Sequence, residues 1–210
     1  MRFLADAPLT LREFVTHEEV PLASIFRAVL DLIAGRSDTV VFGAHAVNAY
    51  CEPERMTQDV DLLSTHAAEL ADLLRARLAE RLHVAVRVRE VVPGQGFRVY
   101  QARKPSNRDL VELRQADVLP PSQPFGELRV IAPPELVAMK VLSLVRRAGR
   151  PKAGTDLVDV QRLLLAFPDL KTEDGVVIDR LRDLGAEGDV IARWREIARA
   201  PIEPDEDEGY

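Results

Sequence analysis

Cysteine is nearly missing from this chain. Its 210 residues include one, Cys51, which excludes an internal disulfide and gives no support to a thiolate zinc site. Aromatic residues make up 5%, and near the basic strands they amount to Phe97 and Tyr100, so base stacking on aromatic rings is not signalled. No apolar run reaches membrane-spanning length, and the opening MRFLADAPLTLREF lacks the apolar centre of a signal peptide. The expectation is a cytoplasmic protein with no membrane partner. A surplus of positive charge is also lacking: 28 Lys and Arg face 34 Asp and Glu, for a formal net charge of −6. Glu203, Asp205, Glu206, Asp207 and Glu208 supply five of those negative charges from a tail expected to be disordered, which leaves a body of about −1. A nearly neutral body does not advertise a nucleic-acid binder, although it has room for a local basic patch.

What the chain does have is apolar patterning, at 47% of residues, enough for a substantial core. Helical spacing marks Ser24–Ala34, with Gly35 after it, and Ala67–Leu82, with a weaker helix near Leu9–Val15. Period-two alternation marks His83–Val92, Phe97–Ala102 and Asp109–Gln115 as strands, and Leu128–Ile131 as a short edge strand. From Pro133 the pattern turns helical: one helix from Pro133-Pro134, a basic loop over Arg146–Gly154, a helix Asp156–Phe167 capped by Thr155, then Glu173–Leu184 and Asp189–Ala198. The fold class expected is α/β (α+β): a mixed-sheet domain with flanking helices over 1–132, a helical bundle over 133–200, and the acidic tail over 201–210.

The chemistry concentrates in one stretch. Val40, Val41 and Phe42 read as a buried strand, Gly43 ends it, and Ala44–Tyr50 read as a helix opening from the glycine. Asp59-Val60-Asp61 then falls in a second strand with Leu62 and Leu63. Alternation puts both aspartates on one face, a repulsive pairing that water solvates or a cation bridges.

This order of elements resembles the nucleotidyltransferase superfamily of polymerase-β-like folds. The long gap from glycine to acids, with Arg55 and Thr57 just before the pair, is more similar to its AbiEii/MenT branch, the toxins of type IV toxin–antitoxin systems. The resemblance covers roughly Val40 to Leu164. It implies transfer of a nucleoside monophosphate from a nucleoside triphosphate to an acceptor hydroxyl, with the 3′ end of tRNA as acceptor and a cognate antitoxin as partner. A small molecule or a protein hydroxyl is the alternative acceptor, and an inactive binding partner of the same fold the alternative role. The implied cofactor is Mg²⁺, two ions, with Mn²⁺ as the substitute, held by Asp59, Asp61 and a third carboxylate on a neighbouring strand. Asp109 and Glu112 compete for that third place. Glu112 lies between Val111 and Leu113 as Asp61 lies between Val60 and Leu62, whereas Asp109 has the other parity and lies near a turn, so Glu112 is the choice.

The nucleotide-binding candidates are Gly43 and Ala44 at the helix start, Thr57, Lys140 and Asp156. Free N–H groups at a helix start suit a triphosphate, and glycine permits close approach. Lys140 interrupts an apolar helix; the resemblance makes it catalytic, contacting the nucleotide phosphates, and snorkelling to solvent is the plain alternative. On either reading Lys140→Met is expected to leave stability almost unchanged. Asp156, read as an acid in the first turn of its helix, would orient Lys140 or suit the helix dipole.

Overall fold

The computed structural model describes residues 20–204 together with Glu13 and Val15. Most of the helix expected near Leu9–Val15, and the tail from Asp205 onward, lie outside the described residues. The rest forms two compact units. One takes the described residues up to His45 and Arg55–Val130; the other takes Ala46–Glu54 and the chain from Ile131 onward.

The first unit is a mixed seven-stranded sheet with helices. Helix α1 (Leu22–Ile33) buries Ile25, Ala28, Val29 and Ile33, the stripe its sequence repeats at helical spacing. Strands follow as β1 (Thr39–Phe42), β2 (Val60–Ser64), β3 (Val86–Val92), β4 (Gly96–Gln101), β5 (Arg108–Gln115), β6 (Ser122–Phe125) and β7 (Leu128–Ile131), in the spatial order β3-β4-β5-β2-β1-β7-β6. Between β1 and β2 runs helix α2 (Gly43–Tyr50), and between β2 and β3 helix α3 (Ala67–Leu82). Helix α3 packs on β3, β4, β5 and β2 and on α1. Beneath it lie Val60, Leu62, Val99, Val111 and Leu113, all fully buried. Fully burying such a side chain contributes about 1.5–3 kcal/mol, so this face fixes the register.

Strand β7 is not at the edge. It pairs with β1 in parallel, and β6 lies beyond it. The sequence signal for β6 is weak because Ser122-Gln123-Pro124-Phe125 has no alternation, and its proline is tolerated only because the strand is outermost.

In the second unit α4 (Pro133–Arg146) packs against α5 (Pro151–Ala166), α6 (Val176–Asp183) and α7 (Gly188–Arg199). Leu136, Val137, Val141, Val160, Leu163, Leu181 and Trp194 fill its core. Helix α5 begins five residues before Asp156, so Thr155 is not its cap. Pro151 takes the first helical position, where its missing N–H costs nothing, and Gly154 is carried inside the helix. Residues 46–54 are tied to this unit by Tyr50, whose hydroxyl donates to the Ile131 carbonyl at 2.9 Å and whose ring meets Phe167 edge-on. Arg162 donates to the carbonyls of Cys51, at 3.1 Å, and of Pro53. Cys51 is buried, and burial pushes its thiol up.

Candidate active site

Strand register builds the site. Strand β2 runs antiparallel to β1, with Asp61 opposite Phe42, and parallel to β5, with Asp61 opposite Glu112. Directly opposite residues share a face, so Asp61 and Glu112 stand side by side on the face that α3 leaves uncovered. Asp59 lies one residue before β2, in a bend, and its backbone carbonyl accepts a hydrogen bond from the Thr57 hydroxyl at 3.1 Å. Thr57 thus anchors the turn that presents Asp59. Carboxylate oxygens of Asp59, Asp61 and Glu112, one from each, lie within 4.8 Å of one another, and all three side chains are half-buried. They are hard oxygen donors, the set that Mg²⁺ and Mn²⁺ take.

Glu112 is held by two arginines. Its Oε1 accepts from Arg114 Nη2 at 2.8 Å and Nε at 3.0 Å, and its Oε2 from Arg98 Nη2 at 3.1 Å. Three of about four lone-pair sites are therefore engaged, and one is left. Burial pushes Glu112 up, but the hydrogen bonds and charge of Arg114, followed by those of Arg98, outweigh it and hold the carboxyl below its usual range. Arg114 also lies over the Phe42 ring, 5.0 Å from its centre.

Asp109 is not turned away as its parity implies. The pairing of β4 with β5 steps from Val99–Val111 to Tyr100–Asp109, so Leu110 is an extra residue in the ladder. Leu110 and Val111 are both buried, and Asp109 returns to the side of Glu112: Arg98 Nη1 reaches Asp109 at 3.2 Å while Nη2 reaches Glu112. Asp109 is nonetheless outside the group of three.

Gly43 opens α2 with φ of +68°, a conformation that costs any other residue strain. Space demands glycine too, because a Cβ there would stand 1.8 Å from Asp61 Oδ2. The glycine and the second aspartate are one packing unit. Ala44 follows, buried; His45, third in the helix, meets the Phe26 ring edge-on at 4.8 Å. Burial, aided by the charge of Arg55, pulls His45 down to about 4, so the imidazole is neutral.

In the second unit Lys140 does not snorkel. Its ammonium lies 2.7 Å from Asp159 Oδ2 and 3.3 Å from Asp156 Oδ1, and Arg147 takes the other Asp156 oxygen at 2.8 Å. The side chains of Lys140, Asp156 and Asp159 are 11%, 3% and 0% exposed. Asp156 is therefore not a first-turn acid answering the helix dipole but a buried counter-ion. Asp159 is the partner whose weight the sequence understates; three residues on from Asp156, it shares that residue's side of the helix, toward Lys140. Basic residues of the strands and of the loop after α4 are partly committed to acids and carbonyls: Arg98 to Glu112 and Asp109, Arg108 to Glu13 and the Val20 carbonyl, Arg147 to Asp156.

Comparison with protein families matches residues 26–206 to one described as "Nucleotidyl transferase AbiEii toxin, Type IV TA system". No curated protein matches the chain. Among solved structures, JHP933 of Helicobacter pylori is 14% identical with a TM-score of 0.51, over 91% of this chain and 92% of that one. The polyadenylate synthase of Megavirus gives 9% and 0.57, over 76% of this chain but 36% of the viral one. ANT(2″)-Ia, solved in complex with adenylyl-2″-tobramycin, gives 14% and 0.50, over 84% of this chain and all, 100%, of that one. At such identities these likenesses speak to the fold.

Proposed function

The chain belongs to the AbiEii family of nucleotidyltransferase toxins of type IV toxin–antitoxin systems, and on that premise we propose that it transfers a nucleoside monophosphate to the 3′-terminal hydroxyl of tRNA, with Asp59, Asp61 and Glu112 as the ligands of its divalent cations. Membership makes it a nucleotidyltransferase with a nucleotide substrate and implies an antitoxin as counterpart; the triphosphate, the acceptor, the ion and the residue roles are our reading. The observation that supports it most is the convergence of three half-buried carboxylates within 4.8 Å. Three carboxylates held so close form a donor set that a divalent cation can bridge.

In the reaction the acceptor oxygen bonds to the α-phosphorus, the bond from that phosphorus to the β-phosphate bridging oxygen breaks, pyrophosphate leaves, and the hydroxyl proton passes to solvent. Bound Mg²⁺, or Mn²⁺ in its place, supplies charge neutralisation on the triphosphate and acidifies the attacking hydroxyl. Arg98 and Arg114 keep Glu112 anionic, which suits a ligand and weakens it as a base. Gly43 and Ala44 offer backbone N–H groups to the phosphates, and Gly43 lets Asp61 stand against the helix start. Thr57 positions Asp59. Lys140, its ammonium oriented by Asp156, is kept as a proposed nucleotide contact.

Among the described residues no helix is long and apolar enough to cross a membrane. The test is incubation of the protein with each labelled nucleoside triphosphate, divalent cation and total RNA, followed by the same reaction with Asp61→Asn. Label on tRNA that depends on Asp61 supports the reading; label on another acceptor, or on none, removes the tRNA assignment.

A further inference from the structure

The face that carries Asp61 and Glu112 extends past them. Register puts Arg98 opposite Glu112, Arg89 opposite Arg98, Gly96 opposite Arg114 and Arg87 opposite Tyr100, so these residues share the face. Where β3 turns into β4 there is a cavity of about 250 Å³ lined by Val92, Gln95, Gly96, Arg98, Glu112 and Arg114. Glu112 thus belongs both to the acid group and to the cavity wall. Gly96 has no backbone reason to be glycine: its φ is not in the left-handed region, and a Cβ would meet Val92 at 3.5 Å, an ordinary contact. What the missing side chain provides is room.

The walls indicate what fits. Two guanidinium groups, Arg98 and Arg114, are fixed by Glu112, and beside them Val91 and Val92 are about half exposed, an apolar surface on an otherwise charged rim. A planar nucleobase stacks on guanidinium planes and aliphatic side chains, and RNA recognition uses such surfaces for unpaired bases. A cavity of about 250 Å³ that opens to solvent has room for one nucleoside, with the rest of the acceptor outside it. Outward from the cavity, Arg89 and Arg87 are exposed on β3, two residues apart, and continue the positive row. That row attracts phosphates and repels a polycationic acceptor such as an aminoglycoside.

We infer that this cavity takes the terminal nucleoside of a single-stranded RNA acceptor, with its base against Arg114 and Val92 and the preceding phosphates along Arg89 and Arg87. The inference rests on the nucleotidyl-transfer reading and adds where the acceptor sits and which acceptor chemistry is admitted.

The probe is an RNA hexamer with a 3′ hydroxyl and a terminal 4-thiouridine, used with the full chain. Photo-crosslinking is expected to join the thiouridine to the segment 91–98 or to Arg114. Gly96→Val, which fills the cavity while keeping the acids and arginines, is expected to weaken hexamer binding by at least about tenfold. Nucleoside triphosphate binding, measured separately, is expected to stay near wild type. If that binding is lost as well, the variant has lost its fold, and Arg89→Glu, at an exposed position, decides by the same expected loss of hexamer affinity. Hexamer affinity unchanged in the deciding variant, a crosslink elsewhere, or displacement of the hexamer by tobramycin overturns the inference. Wild-type protein that binds the hexamer in this cavity but transfers no label to any RNA sinks the transfer reading instead and leaves the cavity assignment standing.

Discussion

The two charged clusters of this protein are built differently. In the helical unit, Lys140 and Arg147 meet Asp156 and Asp159, two charges against two, and the aspartates are sealed from water. In the sheet unit, three carboxylates converge half-exposed, and Arg98 and Arg114 both fasten on Glu112. The first cluster is nearly complete as it stands, and breaking it leaves a buried charge unpaired. The second crowds like charges at an accessible surface, an arrangement that gains from a further cation. Burial and balance, more than the number of charges, set how far each cluster stands complete by itself.

The sharpest way to break this comparison is to neutralise one member of each cluster. Asp61→Asn is expected to lower nucleotidyl transfer by at least roughly a hundredfold, since nothing else supplies that ligand. Its melting temperature without divalent ions is expected to hold or rise, because the amide relieves repulsion. A marked fall in melting temperature tells against a cation site. Lys140→Met is expected to do the reverse of what an apolar helix position suggests. It removes the partner of fully buried Asp159 and is expected to cost about 3–5 kcal/mol, read by urea unfolding. A stable Lys140→Met protein would show that the cluster is not a brace.

Gly43→Ala sharpens the comparison from the backbone side. The positive φ and the clash with Asp61 together are expected to cost on the order of 1–3 kcal/mol and to displace Asp61, so activity and stability fall together, unlike in Asp61→Asn. The smallest effect is in pH. His45 has a folded value of about 4 against 6.5 when unfolded, so between those values the unfolded chain takes up a proton that the native one refuses. Stability therefore falls as pH drops from about 6.5 to about 4, on the order of 1–3 kcal/mol, and His45→Phe is expected to flatten that limb in unfolding curves. The contribution of Glu112 has the carboxylate sign: it is present above about 4.5 and lost as pH falls through its lowered folded value.

Much of the sheet and of the acid group was legible because period-two alternation is a one-dimensional record of burial. Val60 and Leu62, like Val111 and Leu113, declare the buried face, and Asp61 and Glu112 follow as its complement. Asp109 was misread because a bulge at Leu110 shifts parity without leaving a mark in composition. Strand β6 was missed because an outermost strand need not alternate, and the start of α5 because proline and glycine in Pro151–Gly154 look like a loop until a helix accommodates them. Lys140 stood out in an apolar helix, but whether its counter-charge was a ligand or a neighbour depended on how α5 packs on α4, which local pattern does not encode. Thr57 shows a use that local pattern does not encode: its hydroxyl, a candidate nucleotide contact, also donates to the carbonyl of Asp59.

The most direct measurement is thermal unfolding of wild type and Asp61→Asn with and without Mg²⁺ or Mn²⁺, at concentrations from ten to a hundred times the dissociation constant. The wild type is expected to gain roughly 1–3 kcal/mol and Asp61→Asn close to nothing. Equal stabilisation of both proteins, or of neither, would contradict a cation site at Asp59, Asp61 and Glu112.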